Sequence, residues 1–418
     1  MSSRSSHAAA ALLIVAATTA APASVAAQEP MAPRPAAIDS QYTCVVCHID
    51  KRADFVQGVH SERGIRCHDC HGGDPTAFEV AGAHGSANFI GAPNKVQTVE
   101  LCASCHSDPD MMRQYGLEVG QLAEFRTSRH GQLLLEKHDM NAPTCTDCHD
   151  AHTILPPNDA RSNVYPTNIV ATCARCHQDR ELMGQYGIPT DQVDRFRASA
   201  HGVALFVHGN FAAPTCIDCH GSHAALPPRV TQIANVCGQC HVLVRQAFYE
   251  GPHGAAALAG NLPGCTACHS NHGTEGVPPS EIRETCTRCH AAESGPALVG
   301  VEVQQEAMQA NTDLRSAEEA TERLVTLGRQ TADTRFRYRT ALTAHRQIAL
   351  TQHSLDLDEL GDLSREVASI TRDIRNSAEV ASEERWEHKL VLVPVWFLAL
   401  SAAVLAAFML RGLRKGAL

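Results

Sequence analysis

Residues 142–152 read APTCTDCHDAH, and residues 213–223 read APTCIDCHGSH, so one pattern occurs twice at a distance of 71 positions. Each copy has two cysteines separated by two residues, a histidine directly after the second cysteine, and another histidine three positions later. Residues 265–272, CTACHSNH, repeat the core of the pattern. Recurrence of the same cysteines and histidines indicates a shared chemical requirement.

All 18 cysteines of the chain fall in nine Cys-x-x-Cys-His units, called motifs 1 to 9 here. This spacing is the attachment signature of c-type haem, in which two thiols bind the vinyl groups and the histidine binds the iron. We therefore expect nine covalent haems. The attachment residues are Cys44, Cys47, Cys67, Cys70, Cys102, Cys105, Cys145, Cys148, Cys173, Cys176, Cys216, Cys219, Cys237, Cys240, Cys265, Cys268, Cys286 and Cys289. The proximal ligands are His48, His71, His106, His149, His177, His220, His241, His269 and His290.

Other uses of cysteine fit the spacing less well. A disulfide scaffold does not require a histidine after every second cysteine. Zinc sites built from four thiolates do not require one either. A thioredoxin-like redox pair uses a single motif on a βαβ background, which the sequence lacks.

The composition also favours a cofactor-filled interior. The chain has 418 residues but only two Trp and six Tyr, which is few large side chains for a core of this size. We expect a mainly α fold with extensive loops, in which residues 41–294 form a haem-packed domain. An internal repeat relates residues 114–157 to residues 185–228, and both copies contain Phe-Arg-x-Ser-x-His-Gly before the motif quoted above.

The additional histidines are candidates for the distal face of each iron. Histidines three positions beyond a motif histidine lie at about one turn of any short helix there, on the same side as the proximal ligand, so we expect them to bind a neighbouring haem. Histidines followed by glycine form a second group, because glycine lets the backbone approach a haem face closely. The expected distal ligands are His60, His84, His130, His152, His201, His223, His253 and His272.

The ninth distal ligand stays open. His138 and His208 lie in similar stretches of the repeat, offset by one residue, and are the preferred pair of candidates. His68, His345 and His353 are also unassigned, and a methionine (Met111, Met112, Met140 or Met183) is an alternative ligand. One iron left open is the remaining possibility.

The two ends of the chain predict export and a membrane anchor. Residues 1–27 resemble a secretory signal peptide, and residues 28–40 form a linker. Residues 390–410 are apolar and long enough to span a bilayer, and the basic tail at residues 411–418 is expected to stay cytoplasmic. This arrangement places the haem domain in the periplasm, on a single-pass protein of the inner membrane.

Residues 295–389 contain no cysteine, and leucine, valine and isoleucine recur there at spacings of three and four. The pattern predicts two or three long helices in a coiled-coil-like stalk or bundle, which also offers a surface for a homo-oligomer. The seam consists of Leu360, Leu363, Val367, Ile370 and Ile374.

The formal net charge is −10, before the haem propionates are counted. Such a surface excludes nucleic acid as a ligand and favours redox partners with basic docking patches. The expected partners are an inner-membrane quinol-linked complex and periplasmic or outer-membrane cytochromes.

The paired motifs with an upstream His-Gly resemble the multihaem c-type cytochromes of the class III type and their nitrite-respiration relatives. The resemblance covers residues 41–294 and implies mostly bis-histidine haems that move electrons between membrane quinol oxidation and external acceptors. The anchor is C-terminal here, whereas membrane quinol dehydrogenases of this group usually carry it at the N-terminus. Octahaem hydroxylamine oxidoreductases also place long helices after their haems, but their tyrosine crosslink has no identifiable counterpart among Tyr115, Tyr186, Tyr249 and Tyr338.

The sequence therefore predicts an electron-transfer protein in respiration rather than a stand-alone enzyme. The alternative is an oxidoreductase that acts on nitrite, hydroxylamine or tetrathionate at one five-coordinate haem.

Overall fold

The computed structural model describes residues 42–227, 232–262 and 264–415, and these residues are mainly α-helical with connecting loops. No β-strand occurs among them. The expectation of a mainly α fold is confirmed. The predicted signal peptide and linker lie outside the described residues.

The chain divides into two compact units. The first unit contains the described residues up to Gly91 together with His152–Ile154. The Val59 N–H donates to the Ile154 carbonyl at 2.8 Å, and this close approach is possible because Gly58 has no side chain. The helices of this unit are α1 (Cys44–Cys47), α2 (Ile49–Phe55), α3 (Val59–Glu62), α4 (Cys67–His71) and α5 (Val80–His84).

The second unit contains Ala92–Ala151 and the chain from Leu155 onward. Its first part is built from short helices, with a π-helix at Gln132–Glu136 and a 3₁₀-helix at Pro279–Glu281. The helices are α6 (Lys95–His106), α7 (Pro109–Arg113), α8 (Gln121–Thr127), α9 (Arg129–Gly131), α10 (Cys145–His149), α11 (Pro166–His177), α12 (Arg180–Gly184), α13 (Gln192–Ala198), α14 (Ala200–Phe206), α15 (Cys216–His220), α16 (Ile233–Cys237), α17 (Val242–Glu250), α18 (Pro252–Leu258), α19 (Thr266–His269) and α20 (Ile282–Thr287).

Buried apolar residues of the second unit recur at the 71-residue period. They form matching pairs, so each copy of the repeat builds its own small apolar core. The pairs are Val99 with Val170, Met112 with Met183, Leu134 with Leu205, and Ala142 with Ala213. The structural repeat thus begins before residue 114 and includes motif 3 in one copy and motif 5 in the other.

The Phe-Arg-x-Ser-x-His-Gly stretch forms a helix–serine–helix corner. Ser128 is fully buried, its Oγ donates to the Phe125 carbonyl at 2.7 Å, and it accepts the Gly131 N–H at 2.9 Å. Ser199 makes the same two bonds in the second copy, at 2.7 and 3.1 Å. The serine therefore ends one helix and caps the next, as its small hydroxyl side chain favours.

The glycine of this stretch has a packing role. A Cβ on Gly131 or Gly202 would overlap the carbonyl oxygen of Phe125 or Phe196, respectively. Close approach is required between two backbone segments, so the glycine lets the histidine-bearing helix turn tightly from its predecessor. That the glycine also lets the backbone approach a haem face stays a prediction.

After motif 9 the chain forms three long helices, α21 (Gly295–Thr326), α22 (Ala332–Thr351) and α23 (Leu357–Lys415). Two apolar clusters hold them together. One contains Val303, Ile348 and Leu360, and the other contains Leu324 and Ile374. Most of the other buried residues in these clusters are alanines, so the helix backbones lie close together. The predicted seam is observed, because Leu360, Val367 and Ile374 are completely buried.

α23 continues without interruption into the apolar segment at residues 390–410, through Pro394. The side chains of this segment are exposed, with Trp396 73% and Phe397 72% accessible. By length and composition this helix is able to cross a membrane.

We expect Gly202→Ala to lower the melting temperature of the holoprotein measured by far-UV circular dichroism. The new methyl group meets the Phe196 carbonyl, and forced overlap of this kind costs about 1–3 kcal/mol. The matched control is Gly184→Ala, whose Cβ meets nothing within 4 Å at an ordinary helical φ. Equal melting temperatures for the two variants would contradict the corner described above.

Candidate haem-binding sites

Motifs 4 and 6 each form one helical turn that is closed by a capping box. The Thr144 N–H donates to the Asp147 carboxylate at 2.7 Å, and the Thr215 N–H donates to Asp218 at the same distance. The repeated letters Thr-Cys-x-Asp-Cys-His thus encode a self-contained turn, in which threonine and aspartate fix the backbone that carries both thiols and the histidine.

Motifs 3 and 5 lie instead at the ends of 12-residue helices. Motif 3 ends α6 at His106, and motif 5 ends α11 at His177. Each repeat copy therefore presents one motif on a long helix and one on an isolated turn. This difference positions the two motif histidines of a copy on separate structural elements.

The motif helix ends at the motif histidine wherever a second histidine follows three positions later. The next residue has a positive φ: 65° for Asp150, 83° for Gly221 and 56° for Ser270. The chain reverses there and leaves the helix. The expectation that the second histidine sits one turn further along the same short helix is wrong, because the left-handed residue intervenes.

The described residues bring eight motif histidines opposite a second histidine ring. Ring centroids lie 5.8–6.2 Å apart in every case. The pairs are His48 with His84, His71 with His152, His149 with His223, His177 with His130, His220 with His272, His241 with His201, His269 with His353, and His290 with His253.

The constancy of this separation distinguishes the pairs from ordinary ring packing. The angle between ring planes varies from 14° in the His220–His272 pair to 54° in the His130–His177 pair. Near-parallel rings in direct contact come closer, as His84 and Phe89 do at 4.4 Å with planes inclined by 22°, whereas an edge-on pair such as Tyr165 and Phe211 also reaches 6.0 Å. A separation that stays constant while the tilt varies indicates space for an atom bound by both rings.

The separation fits a metal ion that both rings would bind, such as the iron of a haem. A metal–nitrogen bond is about 2 Å long, and the ring centre lies about 1.1 Å beyond the nitrogen, so the centroids should be about 6 Å apart. The donor set also fits, because each pair contains one histidine adjacent to two thiols. Within the described residues no group of three or more His, Cys, Asp or Glu is arranged to hold a bare metal ion.

The histidines three positions beyond a motif all follow one rule. His152 of motif 4 faces His71 of motif 2, and His223 of motif 6 faces His149 of motif 4. His272 of motif 8 faces the motif 6 histidine. The second histidines of motifs 4, 6 and 8 therefore each face the histidine of the motif two places earlier.

The histidines followed by glycine face odd-numbered motifs. His84 ends α5 and faces motif 1, whereas the other three lie in the first turn of α9, α14 and α18 and face motifs 5, 7 and 9. Seven of the eight expected distal histidines thus occur in pairs. The eighth paired histidine, His353, comes from outside the expected set.

Backbone carbonyls orient several of the motif rings. The Nδ1 of His71 bonds to the Gly91 carbonyl at 2.7 Å, that of His220 to Leu226 at 3.2 Å, and that of His269 to Glu275 at 2.9 Å. A carbonyl only accepts, so Nδ1 carries the proton and Nε2 is left with its lone pair. Metal-binding histidines are typically fixed in this way.

Burial keeps many of these rings neutral. Desolvation, followed by repulsion from His177, lowers the pKa of His130 to about 4. Burial also lowers the pKa of His149, His201 and His253, with a smaller contribution from the facing histidine. The neutral imidazole is the form that binds a metal.

All 18 cysteines are free thiols. The first cysteines of neighbouring motifs lie in hydrogen-bond contact: Cys102 with Cys145, Cys173 with Cys216, and Cys237 with Cys265. The bond from Cys102 is the main reason why the pKa of Cys145 falls to about 7. Motifs 3 and 4, 5 and 6, and 7 and 8 are therefore adjacent in space.

The remaining candidates lie as follows. His106 is partly buried at the end of α6, and burial lowers its pKa, while His60 lies in α3. His138 and His208 are both exposed. His138 has a φ of 53° and occupies the repeat position of Gly209, whose φ is 62°. This match explains His138 as a turn residue and leaves His208 without an equivalent.

The other unassigned side chains have separate surroundings. His68 stacks at an angle on Tyr42, with ring centroids 5.7 Å apart, and His345 bonds to the Asn311 side chain at 2.6 Å. Of the methionines, Met112 and Met183 are buried in the apolar cores, and Met111 and Met140 are exposed.

Comparison of this chain with protein-family models, with curated proteins and with solved structures finds no match.

We expect His272→Ala to open one haem in nine to carbon monoxide in the dithionite-reduced holoprotein, because its ring faces the motif histidine of motif 6 at 5.8 Å. His208→Ala is the matched control, since His208 is an exposed histidine of the repeat copy that contains motif 6. The reduced difference spectrum, scaled to total haem, measures the effect. A carbon monoxide signal from the control but not from His272→Ala would refute the pairing.

Proposed function

We propose that this chain is a membrane-anchored, nine-haem c-type cytochrome that passes electrons from haem to haem in respiration. The observation that carries the proposal is the set of eight histidine pairs at 5.8–6.2 Å, each adjacent to a Cys-x-x-Cys pair. At these eight sites, two axial histidines would leave no open coordination position for a substrate. The pairs therefore favour electron transfer over catalysis.

The residues of the chain would hold the cofactor by three kinds of contact. The 18 thiols attach it, the nine motif histidines bind the proximal side, and the paired histidines bind the distal side. When bound, haem c supplies a one-electron ferric–ferrous couple whose potential depends on axial ligand and burial. His60 and the distal partner of His106 stay predictions from the sequence.

The contacts between motifs 3 to 8 support a connected path for electrons. Thiol contacts put motifs 3 and 4, 5 and 6, and 7 and 8 side by side. His223 then joins motif 6 to motif 4, and His272 joins motif 8 to motif 6. Motifs 4, 6 and 8 are thus joined by histidines, and an odd-numbered motif lies beside each of them, which would keep redox sites close without a large side-chain core.

The length of the bundle restricts the partners. Between Leu357 and the start of the apolar segment at Leu390, α23 rises about 50 Å at about 1.5 Å per residue. Motifs 8 and 9 contact the end of the bundle that is farthest from Leu390. A bundle that is perpendicular to the membrane would therefore hold these sites far from the bilayer. The donor is then a quinol-linked complex whose redox centre extends well outside the membrane. Acceptors are periplasmic or outer-membrane cytochromes.

Orientation and charge agree with this role. The signal-like N-terminus and the basic residues after the apolar segment favour a periplasmic haem domain on the inner membrane. The net charge of −10 favours partners with basic docking surfaces.

The purified, detergent-solubilised protein tests the proposal. We expect nine haems per chain from intact mass and the pyridine haemochrome spectrum, and no carbon monoxide binding after reduction. Binding equivalent to one haem in nine, together with turnover of nitrite, hydroxylamine or tetrathionate, would replace the proposal by the oxidoreductase alternative. Fewer than nine haems would contradict the assignment of the motifs.

We further expect the reduced protein to be oxidised faster by a cationic than by an anionic metal complex of similar potential. The negative surface attracts the cation. At 0.1 M salt this attraction decays over a distance of about 10 Å. Stopped-flow rates should converge as the salt concentration rises. Equal rates at low salt would argue against acidic docking.

A further inference from the structure

His353 lies in the turn between α22 and α23, outside the region of the nine motifs. Its ring is half-buried and faces His269, the motif histidine of motif 8, with centroids 6.0 Å apart and planes inclined by 25°. Both values lie inside the ranges of the other seven pairs. The helical bundle thus presents the same arrangement to motif 8 that the repeat presents to motifs 2, 4 and 6.

Both rings of this pair are held for metal binding by backbone carbonyls. The Nδ1 of His353 bonds to the Leu350 carbonyl at 3.3 Å, and the Nδ1 of His269 bonds to the Glu275 carbonyl at 2.9 Å. The Nε2 lone pairs of both rings are left free for an iron. Stacking alone would not require either bond.

The register of the motifs explains why the ligand comes from the bundle. Motifs 2, 4 and 6 each face a histidine that follows the motif two places later. No tenth motif exists to serve motif 8, and motif 9 continues as CHAAES without a second histidine. His353 fills the position that the repeat leaves vacant at its end.

Two glycines lie where the helical bundle packs closely against the motif region. A Cβ on Gly251 would lie 2.8 Å from the Ser354 carbonyl oxygen and 3.0 Å from that of His353. A Cβ on Gly300 in α21 would lie 2.6 Å from the Cys286 sulfur of motif 9. Both sites need glycine because the bundle approaches the motifs so closely. This packing places His353 against the segment between motifs 7 and 8, and it does not depend on the ring geometry.

We propose that His353 is the distal axial ligand of the haem attached at Cys265 and Cys268. The inference rests on the proposed function, because it assumes that the motifs carry haem. Its consequence is that the membrane-anchoring bundle contributes a ligand to the redox chain, so that the stalk and the last even-numbered site form one unit.

Carbon monoxide binding to the reduced full-length holoprotein tests this inference. We expect His353→Ala to bind carbon monoxide at one haem in nine, with nine haems still attached by mass. The matched control is His345→Ala, which removes another histidine of the same bundle that bonds only to Asn311 among the contacts described. The control should bind none.

A second variant guards against a folding defect. His353→Met should retain a six-coordinate iron and move one-ninth of the reductive titration to a higher potential, because a thioether ligand raises the potential relative to imidazole. Nine haems with no carbon monoxide binding in His353→Ala and an unshifted titration in His353→Met would overturn the inference. A wild-type protein with fewer than nine haems would instead overturn the proposed function, so the two failures are distinguishable.

Discussion

On the proposed function, a histidine attached next to a haem would reach only one face of its iron, and this constraint accounts for the arrangement of the paired histidines. Nine motif histidines require partners from other parts of the sequence, since a porphyrin separates its two faces. The fold satisfies the requirement by sending each second histidine to a different motif. Helix ends, turns and glycine positions are then set by where those rings must lie.

The secondary structure is fragmented for the same reason. Four-, five- and seven-residue helices are marginal in isolation, and the side-chain core of each repeat copy is small. Capping by Asp147 and Asp218, and the buried corners at Ser128 and Ser199, define the local geometry instead. Attached haems would supply the remaining apolar contacts, which agrees with a chain that has only two tryptophans. The alanine-rich bundle needs no such help, because its long helices bury their own seam.

Local features of the sites were predictable, but the matching of partners was not. Cysteine spacing identified the motifs, and the steric argument about His152, His223 and His272 directed them away from their own motif. Which motif each one meets depends on contacts between residues far apart in sequence. The positive φ at Asp150 is equally a property of the folded turn.

His353 is the clearest example of what the sequence alone left open. The sequence left several histidines unassigned, and His353 was one of them. The repeat favoured His138 and His208, but the two positions are offset by one residue, and His138 corresponds to Gly209. A residue supplied by a different type of helix has no repeat signal. The packing of Gly251 against the turn between α22 and α23 fixes the position of His353, and its ring then faces the motif 8 histidine.

A cryo-electron microscopy map of the detergent-solubilised holoprotein tests the central claim most directly. The account predicts planar density between the two rings of each histidine pair, covalently continuous with both cysteines of the adjacent motif, and ring centroids about 6 Å apart. Disulfides between Cys102 and Cys145 or between Cys173 and Cys216, or histidine pairs in direct contact with no density between them, would contradict it.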